Sequence, residues 1–408
     1  MLGSIAEGQT EVSGFLAGDD CRATLKALRH MGADIEEVDA TSLRINGVGM
    51  HGLQQSKLPL DLGNSGTAMR LFAGLLSGQS FDSTLTGDAS LSGRPMMRVI
   101  NPLSAMGAKI ESDDGTPPLT VHGGNALVGI NYPLPVASAQ VKSAILLAGL
   151  YAKGETFITE PGVTRDHTER MLRSMGATLS AENGRIRMPG EQSLQATRVQ
   201  VPADLSSAAF LMVAALIAPD CELFLQNVGV NPTRNGVIAI LRDMGADIVL
   251  ENAHILGEEP VADIRVRSSE LHGIDVDPAL VPLAIDEFPI LFIAAAAASG
   301  ETRFTDIGEL RVKESDRIDA MVRGLRALGI TVKEEQDDVA VQGGHFTGTT
   351  IDSRGDHRIA MSFAIAATRA DAAVQIKDVD TVDTSFPGFS ACMHSLGVNI
   401  THQEGPIS

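Results

Sequence analysis

The chain has 408 residues, which at about 150 residues per domain is enough for two to three domains and argues against a single small module. Its 32 Lys and Arg stand against 51 Asp and Glu, a net charge of −19, so bulk-charge coating of nucleic acid or anionic membrane is not expected and an anionic ligand must meet a local cluster of cations. With 0 Trp, 2 Tyr and 13 Phe, the core is aliphatic and platforms for stacking bases are scarce. Cys21, Cys221 and Cys392 form no CxxC pair, as expected of unpaired thiols in a reducing, cytoplasmic compartment. The longest apolar runs, 208–218 and 289–298, fall short of the about 20 residues that span a bilayer, and the N-terminal stretch does not read as a secretory signal.

In chain order, one octad recurs: Leu or Met, two variable residues, Met or Leu, Gly, then apolar, variable, apolar. The copies are LRHMGADI, LSAMGAKI, LRSMGATL, LRDMGADI, LRALGITV and MHSLGVNI, with glycines at Gly32, Gly107, Gly176, Gly245, Gly329 and Gly397. Apolar residues three apart close an amphipathic helix, and the Gly takes the left-handed position after it. The alternation that follows predicts a strand.

A helix of small and aliphatic residues precedes each octad: SGTAMRLFAGLLSG, SAQVKSAILLAGLYAKG, SSAAFLMVAALIAPD, DEFPILFIAAAAASG and DHRIAMSFAIAATRAD. A helix apolar on all sides belongs inside a domain. Each repeat is thus a buried helix, a strand, an amphipathic helix and further strands. Six repeats predict an α/β fold of two domains, 1–201 and 202–408, three repeats each, with buried helices, strands outside and a cleft between similar halves. The border falls near 199–204. The first buried helix, ending at Gly8, has only seven residues against 13 to 16 in the others. The chain is therefore expected to start inside that helix, through a misassigned start or a truncation.

Polar residues gather where the buried helices begin: Asn64-Ser65-Gly66-Thr67, Ser138-Ala139-Gln140, Asp204 with Ser206-Ser207, Asp286-Glu287 and Asp356-His357-Arg358. Free backbone N–H groups and the helix dipole suit such termini to phosphate and carboxylate, although Ser, Thr, Asn and Asp also serve as plain caps; for Asp204 and Ser206 capping is the preferred reading. Capping does not explain the cations beside them, Arg70, Arg94, Arg165, Lys313, Arg317 and Arg358. Arginine forks suit carboxylate and phosphate, so an anion pocket is expected, with surface ion pairing as the alternative. Asp286, at the start of a buried helix, and Glu314, between Lys313 and Arg317, are the acid-base candidates; otherwise one is a cap and the other a salt-bridge partner.

Other motifs carry less. GVGMHG at 47–52 matches G-x-G-x-x-G, but Pro59 interrupts any following helix and no acid lies at the spacing that a dinucleotide site needs. His167 and His357 have no partner at metal-ligand spacing, so hydrogen-bonding roles are expected.

Together, LGNSGTAMR, LTGDASLSGRPM, SAQVKSAILLAGL, TRDHTERML, IDEFPIL, LRVKESDRI, GDHRIAM and TSFPGF resemble the EPSP synthase family, the 3-phosphoshikimate 1-carboxyvinyltransferases, over nearly the whole chain. SAQVKSA with TRDHTE resembles the bacterial variety called class II. The resemblance implies a two-domain inverse α/β barrel, a monomer that transfers the enolpyruvyl group of phosphoenolpyruvate to shikimate 3-phosphate, and a glyphosate target. It implies that phosphoenolpyruvate meets the backbone near Gly66 and the side chains of Arg94, Gln140, Lys313, Arg317 and Arg358, with Asn64 as a further substrate-binding residue. Shikimate 3-phosphate would be held by Ser138, Ala139, Gln140 and Arg165. Asp286 would accept the 5-hydroxyl proton, Glu314 would exchange the proton at the methylene carbon, and Lys313 would stabilise developing charge. No metal or organic cofactor, nucleic acid or membrane is implied.

Two departures stand out. The family opens on a segment resembling PGDKSISHR, whose cations grip both substrates, and Met1 lies just beyond it; the chain as given is therefore expected to have little activity. Thr384 stands where some members carry Lys. The alternatives are a UDP-N-acetylglucosamine enolpyruvyl transferase, whose usual loop Cys is absent from LSGRPM, and, from another class, a clamp-like nucleic-acid binder.

Overall fold

Each octad closes its helix through one backbone device. The computed structural model describes residues 1–401, and in it all six octad glycines have φ between 84° and 102°. The N–H of the residue after each glycine reaches back to the carbonyl of the octad's first residue, as in Ala33 to Leu28 at 3.0 Å, Ala108 to Leu103 at 3.0 Å and Val398 to Met393 at 2.9 Å. This is the left-handed helix stop, which a residue with a Cβ adopts only under strain. The helices so ended are Asp19–His30, Met97–Ala105, His167–Ser174, Gly236–Asp243, Arg317–Ala327 and Phe389–Ser395.

Strands follow the first five octads: Asp34–Asp39, Lys109–Asp113, Ser180–Glu182, Asp247–Leu256 and Val332–Glu335. The sixth differs from expectation. Residues 398–401 form no strand, because no described segment pairs with them.

The small-residue stretches form the buried helices Gly66–Ser77, Ala139–Gly149, Leu205–Ile217, Phe288–Ala297 and His357–Ala367. Every residue from Val141 to Gly149 and from Phe288 to Ala296 is buried. Such burial stabilises by about 1.5 to 3 kcal/mol per large apolar side chain. Small residues also let backbones close up: a Cβ on Gly74 would stand 2.2 Å from the Ala144 carbonyl oxygen. At the start of the chain the helix is only Leu2–Ile5, and Gly8 lies in the strand Glu7–Ser13 rather than at the helix end.

The chain divides into two compact units, one of residues 1–201 with 255–259, the other of 202–254 with 260–408. In the first unit three four-stranded sheets share one plan, for example Leu60–Asp61, Ser83–Thr86, Thr116–His122, Lys109–Asp113 in spatial order. An edge strand runs parallel to the strand after the buried helix, and a hairpin completes the sheet. For the first repeat that edge strand is Arg198–Gln200, parallel to Glu7–Ser13, so the end of the third repeat closes the ring. The second unit has two three-stranded sheets and the parallel pair Thr350–Asp352 and Gln375–Lys377. Phe288, Phe292 and Phe304 meet edge to face in its core, with centroids 4.7 to 6.2 Å apart. No helix among the described residues is long and apolar enough to cross a membrane.

Candidate active site

In the first unit the site candidates gather where two buried helices begin. Ser65 caps Gly66–Ser77 by accepting the Ala68 N–H at 3.3 Å, and Ser138 caps Ala139–Gly149 by accepting that of Val141 at 3.4 Å. One turn past Gly66, Arg70 donates to the Gly66 carbonyl at 3.2 Å and to Gln140 Oε1 at 2.7 Å, and Gln140 donates to Thr67 Oγ1 at 2.8 Å. Arg94 donates to Asn64 Oδ1 at 2.6 Å, while Asn64 donates to Asp88 Oδ2 at 2.9 Å. Two guanidinium groups therefore flank Gly66. Burial, and then the repulsion of Arg94 and Arg98, hold Arg70 below the usual arginine range; an anion at this helix terminus would relieve that repulsion. Arg165 sits half-buried between the strand Glu155–Thr159 and the helix His167–Ser174.

In the second unit the candidates form one charged network. Arg317 is buried and donates through Nε to Asp356 Oδ2 at 2.8 Å and through Nη2 to Glu314 Oε2 at 2.6 Å. This differs from a solvated helix start, because a neighbouring helix brings Asp356 to cover the guanidinium. Asp286 Oδ1 lies 3.6 Å from Lys313 Nζ and 3.7 Å from Arg317 Nη1. Arg358 donates to the Asp286 carbonyl at 2.8 Å and stands 3.6 Å from Glu287 Oε1. Asp286 is not the cap of its helix, which begins at Phe288 behind Glu287 without a side-chain cap bond. Asp204, in contrast, does cap, accepting the Ser207 N–H at 2.9 Å.

Burial alone would raise the Asp356 carboxyl, but Arg317 holds it below the ordinary carboxylate range. Burial pushes Glu287 up, against the pull of Arg358 and Arg234. His357 is pushed down to about 4 by burial and by Arg358, so it is neutral at neutral pH. His167 Nδ1 stands 2.7 Å from Glu259 Oε1, an ion-pairing or hydrogen-bonding position. Thr384 turns inward on its own segment, donating to the Thr381 carbonyl at 2.6 Å.

One residue of this network, Arg234, escaped the sequence reading. Glu287 accepts from Ser206, and Arg234 donates to Ser206 Oγ at 2.5 Å and Asp204 Oδ1 at 2.7 Å, so a chain of polar contacts joins three helix starts. The signal for Arg234 was a cation following the turn-forming NPT.

Six repeated α/β units with cations and paired acids at the starts of buried helices define an inverse α/β barrel enzyme acting on anionic substrates. Comparison with known proteins narrows the class. The family described as EPSP synthase (3-phosphoshikimate 1-carboxyvinyltransferase) matches residues 1–393, and the chain belongs to that family. A relative from Methylococcus capsulatus named 3-phosphoshikimate 1-carboxyvinyltransferase is 58% identical over 401 residues, 98% of this chain and 92% of its own length. One of the same name from Alkalilimnicola ehrlichii is 57% identical over 403 residues, 98% of this chain and 90% of the relative. The structure of an EPSP synthase from Acinetobacter baumannii superposes with a TM-score of 0.92 at 52% identity, covering 98% of this chain and 93% of that one.

Proposed function

We propose that these two sets of side chains carry the transfer of an enolpyruvyl group from phosphoenolpyruvate to the 5-hydroxyl of shikimate 3-phosphate, with release of phosphate. Family membership supports the reaction. The observation that best supports the assignment of roles is Asp286, a carboxylate beside Lys313 and Arg317 that no helix cap accounts for.

In this reading Asn64, the Gly66 helix start, Arg94, Gln140, Lys313, Arg317 and Arg358 serve phosphoenolpyruvate. Ser138, Ala139, Gln140 and Arg165 serve shikimate 3-phosphate. Asp286 takes the 5-hydroxyl proton as that oxygen bonds to C2 of the enolpyruvate, and Glu314 delivers a proton to C3, giving a tetrahedral adduct. The adduct then loses the proton from C3 back to Glu314 as the bond from C2 to the phosphate oxygen breaks. Phosphate leaves with the proton that Asp286 took up and the enol ether remains, with no net oxidation. Lys313 and the arginines stabilise the charge that develops on the phosphate.

Residues 1–201 and 202–408 are read as the two domains, and the protein as a cytoplasmic monomer that takes no nucleic acid; its free Cys21, Cys221 and Cys392 support the compartment, and its net charge of −19 the lack of nucleic acid. Family membership favours shikimate 3-phosphate over a UDP-sugar. Calorimetric binding of shikimate 3-phosphate, with phosphate release from phosphoenolpyruvate as the second readout, tests the substrate. Binding of UDP-N-acetylglucosamine in its place would reverse the assignment.

A further inference from the structure

Lys142 is fully buried on the helix Ala139–Gly149, two residues past Gln140. An unpaired ammonium there is strongly disfavoured, and the structure supplies two partners: Nζ lies 2.7 Å from Glu169 Oε1 and 3.1 Å from Glu160 Oε1. Glu160 directly follows the strand Glu155–Thr159, and Glu169 lies on the helix His167–Ser174. Arg165 sits between them. Thr164, its neighbour in the chain, donates to Glu160 Oε1, and Ser143 and Thr168 share a hydrogen bond of 2.7 Å between their hydroxyls. Both ends of the segment carrying Arg165 are thus fastened to the helix that begins at Ser138, Ala139 and Gln140.

The proposed chemistry uses none of these fastening groups. Apolar side chains of the same volume would hold the elements together without desolvating three charges. What an ion cluster adds is direction, since each carboxylate must stand at a fixed place around one ammonium. We propose that Lys142, through Glu160 and Glu169, is a positioning residue that sets Arg165 against Ser138 and Gln140 for the phosphate of shikimate 3-phosphate. This rests on the reading that Arg165 meets that phosphate.

The test is a double-mutant cycle on the whole protein, with shikimate 3-phosphate and phosphoenolpyruvate titrated separately by calorimetry into Lys142→Met, Glu160→Gln, Arg165→Ala and the two doubles that include Arg165→Ala. Lys142→Met and Glu160→Gln are expected to weaken shikimate 3-phosphate by about tenfold, the size of coupling found within one ion-pair network, and to leave phosphoenolpyruvate unchanged. With Arg165 already Ala, neither should cause a further loss. Equal losses with and without Arg165, or a lower melting temperature with unchanged affinity, would overturn the role of Lys142 alone. Where Lys142→Met does not fold, Glu160→Gln, at the edge of the cluster, gives the same reading. Unchanged affinity in Arg165→Ala itself would overturn the assignment of Arg165, and this proposal with it.

Discussion

Arg317 and Asp356 form an ion pair with both side chains almost wholly buried, 1% and 0% exposed, and 2.8 Å between Nε and Oδ2. Asp356 also accepts the Arg358 N–H at 2.9 Å, so a single carboxylate anchors one arginine and caps the helix that carries another. Asp356→Ala would leave the buried Arg317 charge without this partner. The expected cost is about 3 to 5 kcal/mol of unfolding free energy, the range for breaking a buried pair from one side, read from urea denaturation. A loss of only about 0 to 1 kcal/mol, as for an exposed pair, would mean that Glu314 and Asp286 suffice to hold Arg317.

Asp286 makes a different prediction because its carboxylate stands beside Lys313 and Arg317 without capping its helix. In a form that carries the family's opening segment, Asp286→Ala should lower kcat by about 10² to 10⁴ relative to the same form with Asp286, the range for a positioned base, with the melting temperature little changed. A change confined to KM would assign Asp286 to electrostatic steering of the substrate and remove it as the base.

His357 sets a pH dependence of stability whose sign follows from its burial. In the folded protein its pKa is pushed down to about 4 from the ordinary 6.5, so the unfolded chain takes up a proton over this window and the folded chain does not. Stability therefore falls as pH drops from about 6.5 to about 4, by up to about 3 kcal/mol from this group. Melting curves across that range should be flatter for His357→Gln than for the parent. Parallel curves would place the pH dependence in the carboxylates instead.

What the sequence made legible was local. The octads could be read because a helix stop needs a left-handed residue at one fixed place, and Gly32 through Gly397 all take it. Arg70 and Arg358 could be read as candidates because each lies near the start of a buried helix, and Arg94 and Arg317 because each lies at or before the start of an octad helix. The contacts that hold them are remote in sequence: Arg70 with Gln140, Ser206 with Glu287, and Arg358 with the Asp286 carbonyl. No spacing rule predicts which carboxylate meets which arginine across such distances. Lys142 left a usable signal, since one charge inside SAQVKSAILLAGL requires a buried counter-charge, but the sequence does not say that Glu160 and Glu169 supply it. The strand expected after Gly397 was a local reading of a feature that depends on a remote partner.

Gly66 gives the prediction that best separates a ligand site from a structural turn. A Cβ there would stand 2.9 Å from Arg70 Nη1 and 3.0 Å from Arg94 Nη1. Both are the far ends of flexible side chains, so the fold can absorb a methyl group by moving the two guanidinium groups. The burden then falls on whatever anion those groups meet at the helix start. Gly66→Ala should weaken phosphoenolpyruvate by about tenfold or more, as expected for a lost hydrogen bond to a charged group, and glyphosate, the longer ligand, by a larger factor. Shikimate 3-phosphate, assigned to Ser138, Gln140 and Arg165, should bind nearly as before, and the melting temperature should stay close to that of the parent. Three dissociation constants and one melting curve check this. Equal losses for both substrates, accompanied by a lower melting temperature, would show that Gly66 serves the helix start alone and would take it out of the site.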